Sequence, residues 1–395
     1  MEKRIYVDHA ATTKTAPEVI AAMLPYFETA YGNPSSIYQE GREAKKAIET
    51  AREEVAGAIG AEPREIFFTG SGSEADNWAI RSAAKAMRKK GNHIITTAVE
   101  HHAVLHTCQQ LEKEGFEVTY LPVDEYGMVS PSAVQDALRE TTTLVTIMLA
   151  NNEIGTIMPV QEIAAIVHNA GALMHTDAVQ AIGMIPVDVK ELKVDMLSLT
   201  GHKFHGPKGS GALFVRSGLK LEPFITGGAQ ERGRRAGTEN VPGIVGLGKA
   251  ISLATANIPE KAAYLTMLRD SYINKILQAV PFARLNGHPE KRLPGNANFS
   301  FSFIEGEGLL LFLDMKGISA SSGSACTSGS LDPSHVLLAI GLKHEEAHGS
   351  LRVTFDMENT MDEVDVIVEA VRETVERLRN MSPLYEKYLK EQQDL

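Results

Sequence analysis

Lys203 and Asp177 are the residues of this sequence whose types and positions most directly indicate chemistry. Lys203 lies in the turn "TGHKFHGPKG", directly after the apolar run "DMLSL". A lysine that is desolvated at the end of a buried strand loses its proton more readily and can form a Schiff base with a carbonyl compound. Asp177 ends another apolar run, "ALMHTD", and a buried carboxylate needs a partner such as a protonated ring nitrogen. Taken alone, Lys203 also fits a solvated charge, and Asp177 also fits a helix cap.

A glycine-rich turn, "TGSGSEADN", offers a candidate anion site after the run "EIFF". Gly72 and Ser73 begin a predicted helix, whose N-terminal N–H groups favour a phosphate. The spacing from Gly70 also fits a dinucleotide fingerprint with Glu100 at the end of the next strand, and a simple turn with Ser73 as N-cap is the third interpretation. A lysine, an acid and a phosphate cup together fit pyridoxal phosphate (PLP), whereas a dinucleotide enzyme does not need the lysine–aspartate pair.

Other polar residues follow the predicted strands. His101, in "EHHAVLH", is placed to offer a flat ring to an aromatic ligand, and Asn152 and Gln180 follow two further strands. His102 and His106 have the i, i+4 spacing of a metal pair, but no third ligand follows at a suitable spacing. The sequence therefore predicts no zinc site here.

The elements that must position these residues alternate between β-prone runs and helical segments from about residue 65. Such alternation predicts an α/β fold with a mainly parallel sheet and helices on both faces. After about residue 258 the pattern changes to that of a smaller α+β unit. We therefore predict a large PLP-binding domain over 14–258, and a small domain formed by 1–13 and 259–395 that carries the loop 319–330.

Composition limits the class of protein. The 395 residues are 43% hydrophobic and 23% charged, which is typical of a soluble globular protein. A formal net charge of −11 argues against direct nucleic-acid binding and against binding to anionic membranes. The start of the chain lacks the apolar stretch of a secretory signal, and two cysteines form no disulfide framework. We expect a cytoplasmic protein without membrane association.

One of the two cysteines, Cys326, lies in the serine- and glycine-rich stretch "SASSGSACTSG" (319–329). Its composition cannot build a core and predicts a flexible loop. Asp332 and Pro333 are predicted to cap and start the helix that follows. The other cysteine, Cys108, lies in the helix-like "HTCQQLEKEG", where a structural role is expected.

The chain resembles the cysteine desulfurases of the NifS/IscS-like group, within the fold-type I (aminotransferase class V) PLP enzymes. Ten ordered motifs carry the resemblance: "YVDHAATT", "GNPSS", "FFTGSGSEADN", "EHHAV", "NNEIGT", "HTDAVQ", "GHKFHGPKG", "RRAGTEN", "SSGSACTSGSLDPSHVL" and "LRVTF". Tyr38 stands where the group commonly has His, and Thr200 where Ser is usual. Thr200 keeps the hydroxyl, so only the role of Tyr38 stays open.

The resemblance implies a role for each matched residue. Lys203 would hold PLP as a Schiff base, with His101 stacked on the pyridine ring. The remaining cofactor contacts would come from Asp177 (pyridine nitrogen), Gln180 (phenolic oxygen), Asn152, and the phosphate group ligands Gly72, Ser73, Thr200 and His202. Thr238 would reach the phosphate from a second subunit, which implies a homodimer. Asn33, Asn152 and Arg352 would bind the substrate carboxylate.

The resemblance also implies a reaction. L-cysteine would lose its sulfur to the catalytic residue Cys326, leaving L-alanine and a persulfide. The acceptor would be an iron–sulfur scaffold or another sulfur-acceptor protein, and Cys326 is the candidate for a transient iron–sulfur ligand. There are two alternatives. One is another fold-type I PLP enzyme, such as an aminotransferase or a selenocysteine lyase, and the other is a non-catalytic docking platform.

Overall fold

The computed structural model describes residues 4–322 and 333–393. Cys326 and Asp332 lie outside these ranges. The strands are β1 (Ile5–Tyr6), β2 (Ile66–Thr69), β3 (His93–Thr97), β4 (Glu117–Leu121), β5 (Thr142–Thr146), β6 (Leu173–Asp177), β7 (Met196–Thr200), β8 (Gly211–Val215), β9 (Ala283–Asn286), β10 (Asn296–Phe301), β11 (Ile318–Ser319) and β12 (Ser350–Thr354).

Helices connect and cover these strands. They are α1 (Pro17–Met23), α2 (Pro25–Glu28), α3 (Gln39–Ala58), α4 (Gly72–Ala86), α5 (His102–Lys113), α6 (Pro131–Ala137), α7 (Val160–Asn169), α8 (Val189–Leu192), α9 (Gln230–Gly233), α10 (Val241–Thr255), α11 (Ile258–Ala279), α12 (Gly306–Met315), α13 (His335–Ala339), α14 (His344–His348), α15 (Met361–Asn380) and α16 (Pro383–Gln393). Short 3₁₀ helices lie at Pro63–Glu65 and Gly201–Lys203.

The main sheet contains every strand predicted between residues 65 and 215. Within the described residues it has seven strands in the order β2-β8-β7-β6-β5-β3-β4. The pairs from β7 to β4 are parallel, while β8 is antiparallel to both β7 and β2. β8 reverses because a short turn, 201–210, joins it to β7, whereas a parallel neighbour would need a crossover of a dozen residues or more. The prediction of a mainly parallel sheet is confirmed.

Helices cover both faces of this sheet. On one face Ile48 of α3, Ile163 of α7 and Leu247 of α10 belong to one apolar cluster. On the other face Trp78 of α4 and Leu111 of α5 belong to another. The α/β architecture follows from strands that are apolar on both sides, since each face must be buried.

The C-terminal part has its own sheet and core. Strands β9, β10 and β12 form an antiparallel sheet in the order β12-β10-β9, and α11 and α15 belong to the same apolar cluster. The N-terminal strand β1 pairs in parallel with β11, and Val7 is buried in this cluster. Val336 and Leu337 of α13, by contrast, pack in the core of the main sheet. The division at residues 13 and 258 stays a prediction.

The start of α13 differs from the prediction. Ser334, not Asp332, is the N-cap, and the helix begins at His335 rather than Pro333. The Ser334 hydroxyl accepts the N–H groups of Val336 and Leu337, and this bonding fixes the first turn two residues later than expected.

No single helix in the described part of the chain is long and apolar enough to cross a membrane. The helices α10 and α11 are long and apolar enough only when they are taken together, and they meet at an angle of 73°.

Candidate active site

One cavity of about 750 Å³ brings most of the predicted site residues together. It lies where β6 and β7 end and α4 and α5 begin, which is the expected ligand position in a parallel α/β sheet. The predicted residues that line it are Gly72, Ser73, His101, Asn152, Asp177, Gln180, Thr200, His202, Lys203 and Arg352.

Lys203 is held at the cavity by the N-terminal segment. It ends the 3₁₀ turn after β7, and its Nζ donates to the carbonyl oxygens of Ala10 and, at 2.8 Å, Ala11. Gln180 Nε2 also donates to Ala10 O, at 3.0 Å. These two carbonyl groups lie beside the amine although they belong to the first residues of the chain. Sequence reasoning missed them, because a backbone acceptor leaves no side-chain signal.

Asp177 lies at the end of β6 with only 6% of its surface exposed. Its Oδ1 accepts the N–H of Val179 at 2.9 Å. Burial raises the pKa of Asp177 to about 6, and the hydrogen bond from Val179 and the charge of Lys203 act in the opposite direction. A cation placed against this carboxylate would therefore be strongly favoured.

Two further buried acids surround Asp177. Asp76 of α4 lines the cavity, and its Oδ1 has no hydrogen-bond partner within the described ranges. Burial and the charge of Asp177 raise the pKa of Asp76. Glu100 is fully buried and accepts from Thr97 Oγ1 at 2.7 Å and from Met148 N at 3.0 Å. Its carboxylate is therefore already hydrogen-bonded within the protein. The dinucleotide hypothesis needs this carboxylate to bind a ribose hydroxyl, so it loses its acidic ligand.

His101 is the N-cap of α5, and its Nδ1 accepts the N–H of Ala103 at 3.1 Å. That contact requires an unprotonated Nδ1. Burial, followed by the charge of Lys203, lowers the pKa of His101 to about 4. The ring is therefore neutral near pH 7 and presents an uncharged aromatic surface to the cavity.

The N-terminus of α4 forms the anion end of the cavity. Ser71 caps the helix by accepting the N–H of Glu74 at 3.1 Å, so that Gly72 and Ser73 occupy the first turn. A Cβ on Gly72 would lie 2.8 Å from Val179 Cγ2, so the close approach requires glycine. The N–H groups of a first helical turn have no intrahelical acceptor and favour an anion.

A hydroxyl and an imidazole lie at the same end. Thr200 Oγ1 donates to Ser210 O at 2.9 Å, and His202 Nδ1 lies 3.1 Å from Thr12 Oγ1. Burial lowers the pKa of His202 to about 4. An anion would therefore meet a neutral imidazole rather than a fixed positive charge.

Arg352 supplies the guanidinium at the opposite side. It is 3% exposed, its Nη2 lies 2.8 Å from Asp8 Oδ1, and its Nη1 donates to Asn152 O at 2.9 Å. Its Nε has no partner within residues 4–322 and 333–393. A buried donor without a partner is costly, and a substrate carboxylate would satisfy it.

Two predicted residues are not brought into this cavity by the described chain. Asn33 and Thr238 are exposed and do not line it, and Asn33 Oδ1 accepts the N–H of Ser35 at 2.9 Å. Cys326 lies outside the described residues. Cys108 is buried in α5, and burial raises the pKa of its thiol, consistent with the predicted structural role.

Sequence reasoning missed one wall of the cavity, formed by α4 and α5. Asn77, Arg81 and Gln110 line it together with His106, and their only signal would have been a common helix face. The rings of His102 and His106 lie 5.0 Å apart. Among the described residues no group of three or more His, Cys, Asp or Glu side chains is arranged to hold a metal.

The cavity at the end of the mainly parallel sheet thus combines a lysine amine and a buried aspartate with a neutral histidine ring and a helix N-terminus. This combination is typical of the PLP-dependent enzymes of fold type I. The aminotransferase class-V family model matches residues 5–367, and the chain belongs to this family. The predicted class and cofactor are confirmed.

Similar proteins narrow the class further. The chain is 58% identical over 382 residues to cysteine desulfurase IscS of Methanosarcina thermophila, which covers 97% of this chain and 94% of the relative. It is 55% identical over 396 residues to cysteine desulfurase IscS of Clostridium botulinum strain Hall, over the full length of both. A solved NifS-like protein has a TM-score of 0.90 and 39% identity, covering 95% of this chain and 100% of its own. The resemblance to cysteine desulfurases is confirmed.

Proposed function

We propose that the protein is a PLP-dependent cysteine desulfurase that removes sulfur from L-cysteine. The observation that carries the proposal is the convergence of Lys203, Asp177, His101 and Arg352 on one cavity of about 750 Å³. A cation-seeking aspartate and a lysine amine suit PLP, and a buried guanidinium suits an amino-acid carboxylate.

The residues present fit PLP. The buried carboxylate of Asp177 would pair with the ring nitrogen, His101 would stack on the ring, and Lys203 would hold the cofactor covalently through its amine. Gln180 and Asn152 would contact the ring substituents. The phosphate would lie at the N-terminus of α4 with Gly72, Ser73, Thr200 and His202. When bound, PLP would supply an electron sink for the substrate Cα.

The chain's own residues would bind the substrate and move its protons. Arg352 and Asn152, with Asn33, would orient the carboxylate of L-cysteine. The Lys203 amine would take the proton from Cα, and the Ala10 and Ala11 carbonyl groups would stabilise the resulting ammonium. A positioned base of this kind contributes about 10²- to 10⁴-fold to a rate.

Cys326 would accept the sulfur. The Cβ–S bond of the substrate breaks, an S–S bond to Cys326 forms, and the electron pair left on Cβ takes up a proton to give the methyl group of L-alanine. The two thiol hydrogens of the reactants become one methyl hydrogen and one persulfide hydrogen, so no external oxidant is needed. Because the thiolate is the nucleophilic form of cysteine, the Cys326 thiol would give up its proton as the S–S bond forms.

The decisive experiment is mass spectrometry of the enzyme after incubation with PLP and L-cysteine. We expect one extra sulfur atom on Cys326 and an equal amount of L-alanine. Cys326→Ala should abolish the persulfide, while Cys108→Ala, a matched cysteine variant away from the cavity, should retain it. Equal turnover in Cys326→Ala would favour a selenocysteine lyase, and keto-acid formation would favour an aminotransferase.

We propose that the enzyme works as a homodimer in the cytoplasm. Exposed Thr238 would complete the phosphate site of the partner, and the exposed apolar side chains of residues 20–38 support a protein–protein interface. Free thiols stay reduced in the cytoplasm, where disulfides are rare. The persulfide would be passed to an iron–sulfur scaffold or another sulfur-acceptor protein, with Cys326 as a transient iron–sulfur ligand.

A further inference from the structure

A buried hydrogen bond joins Ser334 to Glu153, which directly follows the cavity residue Asn152. The Ser334 hydroxyl donates to Glu153 Oε2 and at the same time accepts from Val336 N at 3.1 Å and Leu337 N at 3.3 Å. Both side chains are only 4% exposed. One hydroxyl therefore caps α13 and ties the start of that helix to a carboxylate of the main domain.

Glu153 is itself firmly held beside the predicted carboxylate site. Its N–H donates to Asn151 Oδ1 at 2.8 Å, and its carbonyl oxygen accepts from Asn298 Nδ2 at 3.1 Å. The preceding residue is Asn152, whose carbonyl oxygen accepts from Arg352 Nη1. Movement of Glu153 would thus be transmitted to the residues that we expect to bind the substrate.

A second contact joins the start of α13 to the cofactor side of the cavity. The His335 ring donates through Nε2 to Glu100 O at 2.9 Å and lies 4.8 Å from the His102 ring. Glu100 directly precedes His101. Ser334 therefore contacts Glu153 beside the expected substrate site, and His335 contacts Glu100 beside the expected cofactor site.

The other flank of the sequence 323–332 is also attached at the cavity. Ser321 and Arg352 exchange backbone hydrogen bonds, with Arg352 N donating to Ser321 O at 2.6 Å. Ser350 Oγ donates to Ser322 O at 2.9 Å. Residues 322 and 334 are thus both fixed to elements that carry site residues.

We propose that Glu153 is a positioning residue for sulfur transfer, which acts through Ser334 to fix the chain flank that follows Cys326 relative to the bound substrate. The proposal rests on the proposed function. Ser334 follows Cys326 by eight residues in the sequence, so the hydrogen bond to Glu153 fixes a described point of the chain close to the catalytic thiol in sequence. Chemistry of this kind is sensitive to position, since a misplacement of about 1 Å can cost about 100-fold in rate.

The test compares Ser334→Ala and Glu153→Ala with Glu153→Gln, whose amide oxygen can still accept from Ser334. Rapid-quench mass spectrometry of the PLP-loaded enzyme measures the rate of persulfide formation on Cys326. We expect about a tenfold loss in both alanine variants and recovery to within about twofold of wild type in Glu153→Gln. The visible absorbance of bound PLP, and its immediate change on adding L-cysteine, should stay unchanged in all three.

Ser130→Ala is the matched control. Ser130 caps α6 by accepting the N–H of Ala133 at 3.1 Å, as Ser334 caps α13, but it is exposed and its hydroxyl lies beside that of Ser132 rather than beside a buried carboxylate. We expect a smaller loss of thermal stability than in Ser334→Ala and a normal persulfide rate. If Ser334→Ala does not fold, the comparison of Glu153→Ala with Glu153→Gln decides the question.

The proposal is overturned if persulfide forms at the wild-type rate in Glu153→Ala, or if Glu153→Gln is as slow as Glu153→Ala. It is also overturned if the PLP absorbance and the persulfide rate fall in parallel, which would indicate a general structural role. Absence of persulfide in the wild-type enzyme is a different result, which contradicts the proposed function itself.

Discussion

At the scale of single residues, the acids around the cavity are the unusual feature. Asp177, Asp76 and Glu100 are all buried, and burial raises the pKa of each. Such a cluster destabilises a protein when ionised, because each carboxylate loses its hydration. The cost is tolerable where a cationic ligand binds, and the site is therefore built to be more stable when loaded than when empty of cofactor.

Asp177→Asn should stabilise the cofactor-free protein near pH 8 while weakening PLP binding. A folded-state pKa of about 6 lies above the ordinary value of about 3.9. Ionisation of Asp177 therefore costs the folded state stability as pH rises from about 4 to 6. Thermal unfolding across this range should show that the advantage of Asp177→Asn disappears below about pH 4. An advantage that is independent of pH would contradict this account.

At the scale of elements, a buried ion pair joins α3, β2 and the segment that leads to Thr238. Arg52 of α3 contacts both carboxylate oxygens of Glu231, at 2.9 and 2.8 Å, and donates to Ile66 O. Glu231 also accepts the N–H of Phe68 at 2.9 Å. Glu231 has φ 45°, a strained conformation that persists only where contacts hold it.

Glu231→Ala should destabilise the protein by about 3 kcal/mol, because it removes the buried carboxylate of the pair and leaves Arg52 only the half-exposed carboxylate of Glu49. Urea unfolding would measure the loss. Arg52→Met combined with Glu231→Leu removes both charges and should recover part of the loss, since the Phe68 N–H stays without its acceptor. A single variant as stable as wild type would show that water solvates Arg52 in the variant.

At the scale of the whole molecule, the distribution of apolar surface is uneven. Residues 20–38 carry large apolar side chains that are 48–89% exposed, namely Ile20, Leu24, Phe27, Tyr31, Ile37 and Tyr38. A soluble monomer rarely shows such a patch. The same stretch contains Asn33, which lies outside the cavity of the single chain, and the proposed homodimer would cover these apolar side chains.

Phe27→Asp with Ile37→Asp should convert the proposed dimer into a monomer with weakened PLP affinity, since a charge at a covered apolar contact is not solvated. Sedimentation measures the mass, and absorbance titration measures PLP binding. Leu389→Asp, an exposed apolar position on α16, is the matched control and should change neither. A double variant that remains dimeric would place the interface elsewhere.

Much of this molecule could be predicted from the sequence, and the exceptions have physical reasons. Lys203 and Asp177 were recognisable because each follows an apolar run, and strand ends converge at one edge of a sheet. The roles of Ala10, Glu153 and Ser334 were not, because they depend on contacts between residues far apart in the chain. The start of α13 was misplaced because Pro333 and Ser334 both favour a helix start, and only the bonding of Ser334 decides between them.

The attachment of the first residues to the last part of the fold has a consequence for biosynthesis. β1 pairs with Ile318 and Ser319, and Thr354 N donates to Val7 O, while Ala10 and Ala11 accept from Lys203. The ribosome therefore releases the N-terminal segment first, and its partners in β11 and β12 only after more than 300 further residues. Contacts this distant form late in folding. The carbonyl groups of Ala10 and Ala11, which accept from Lys203, therefore gain the support of β11 and β12 only after those strands have been synthesised.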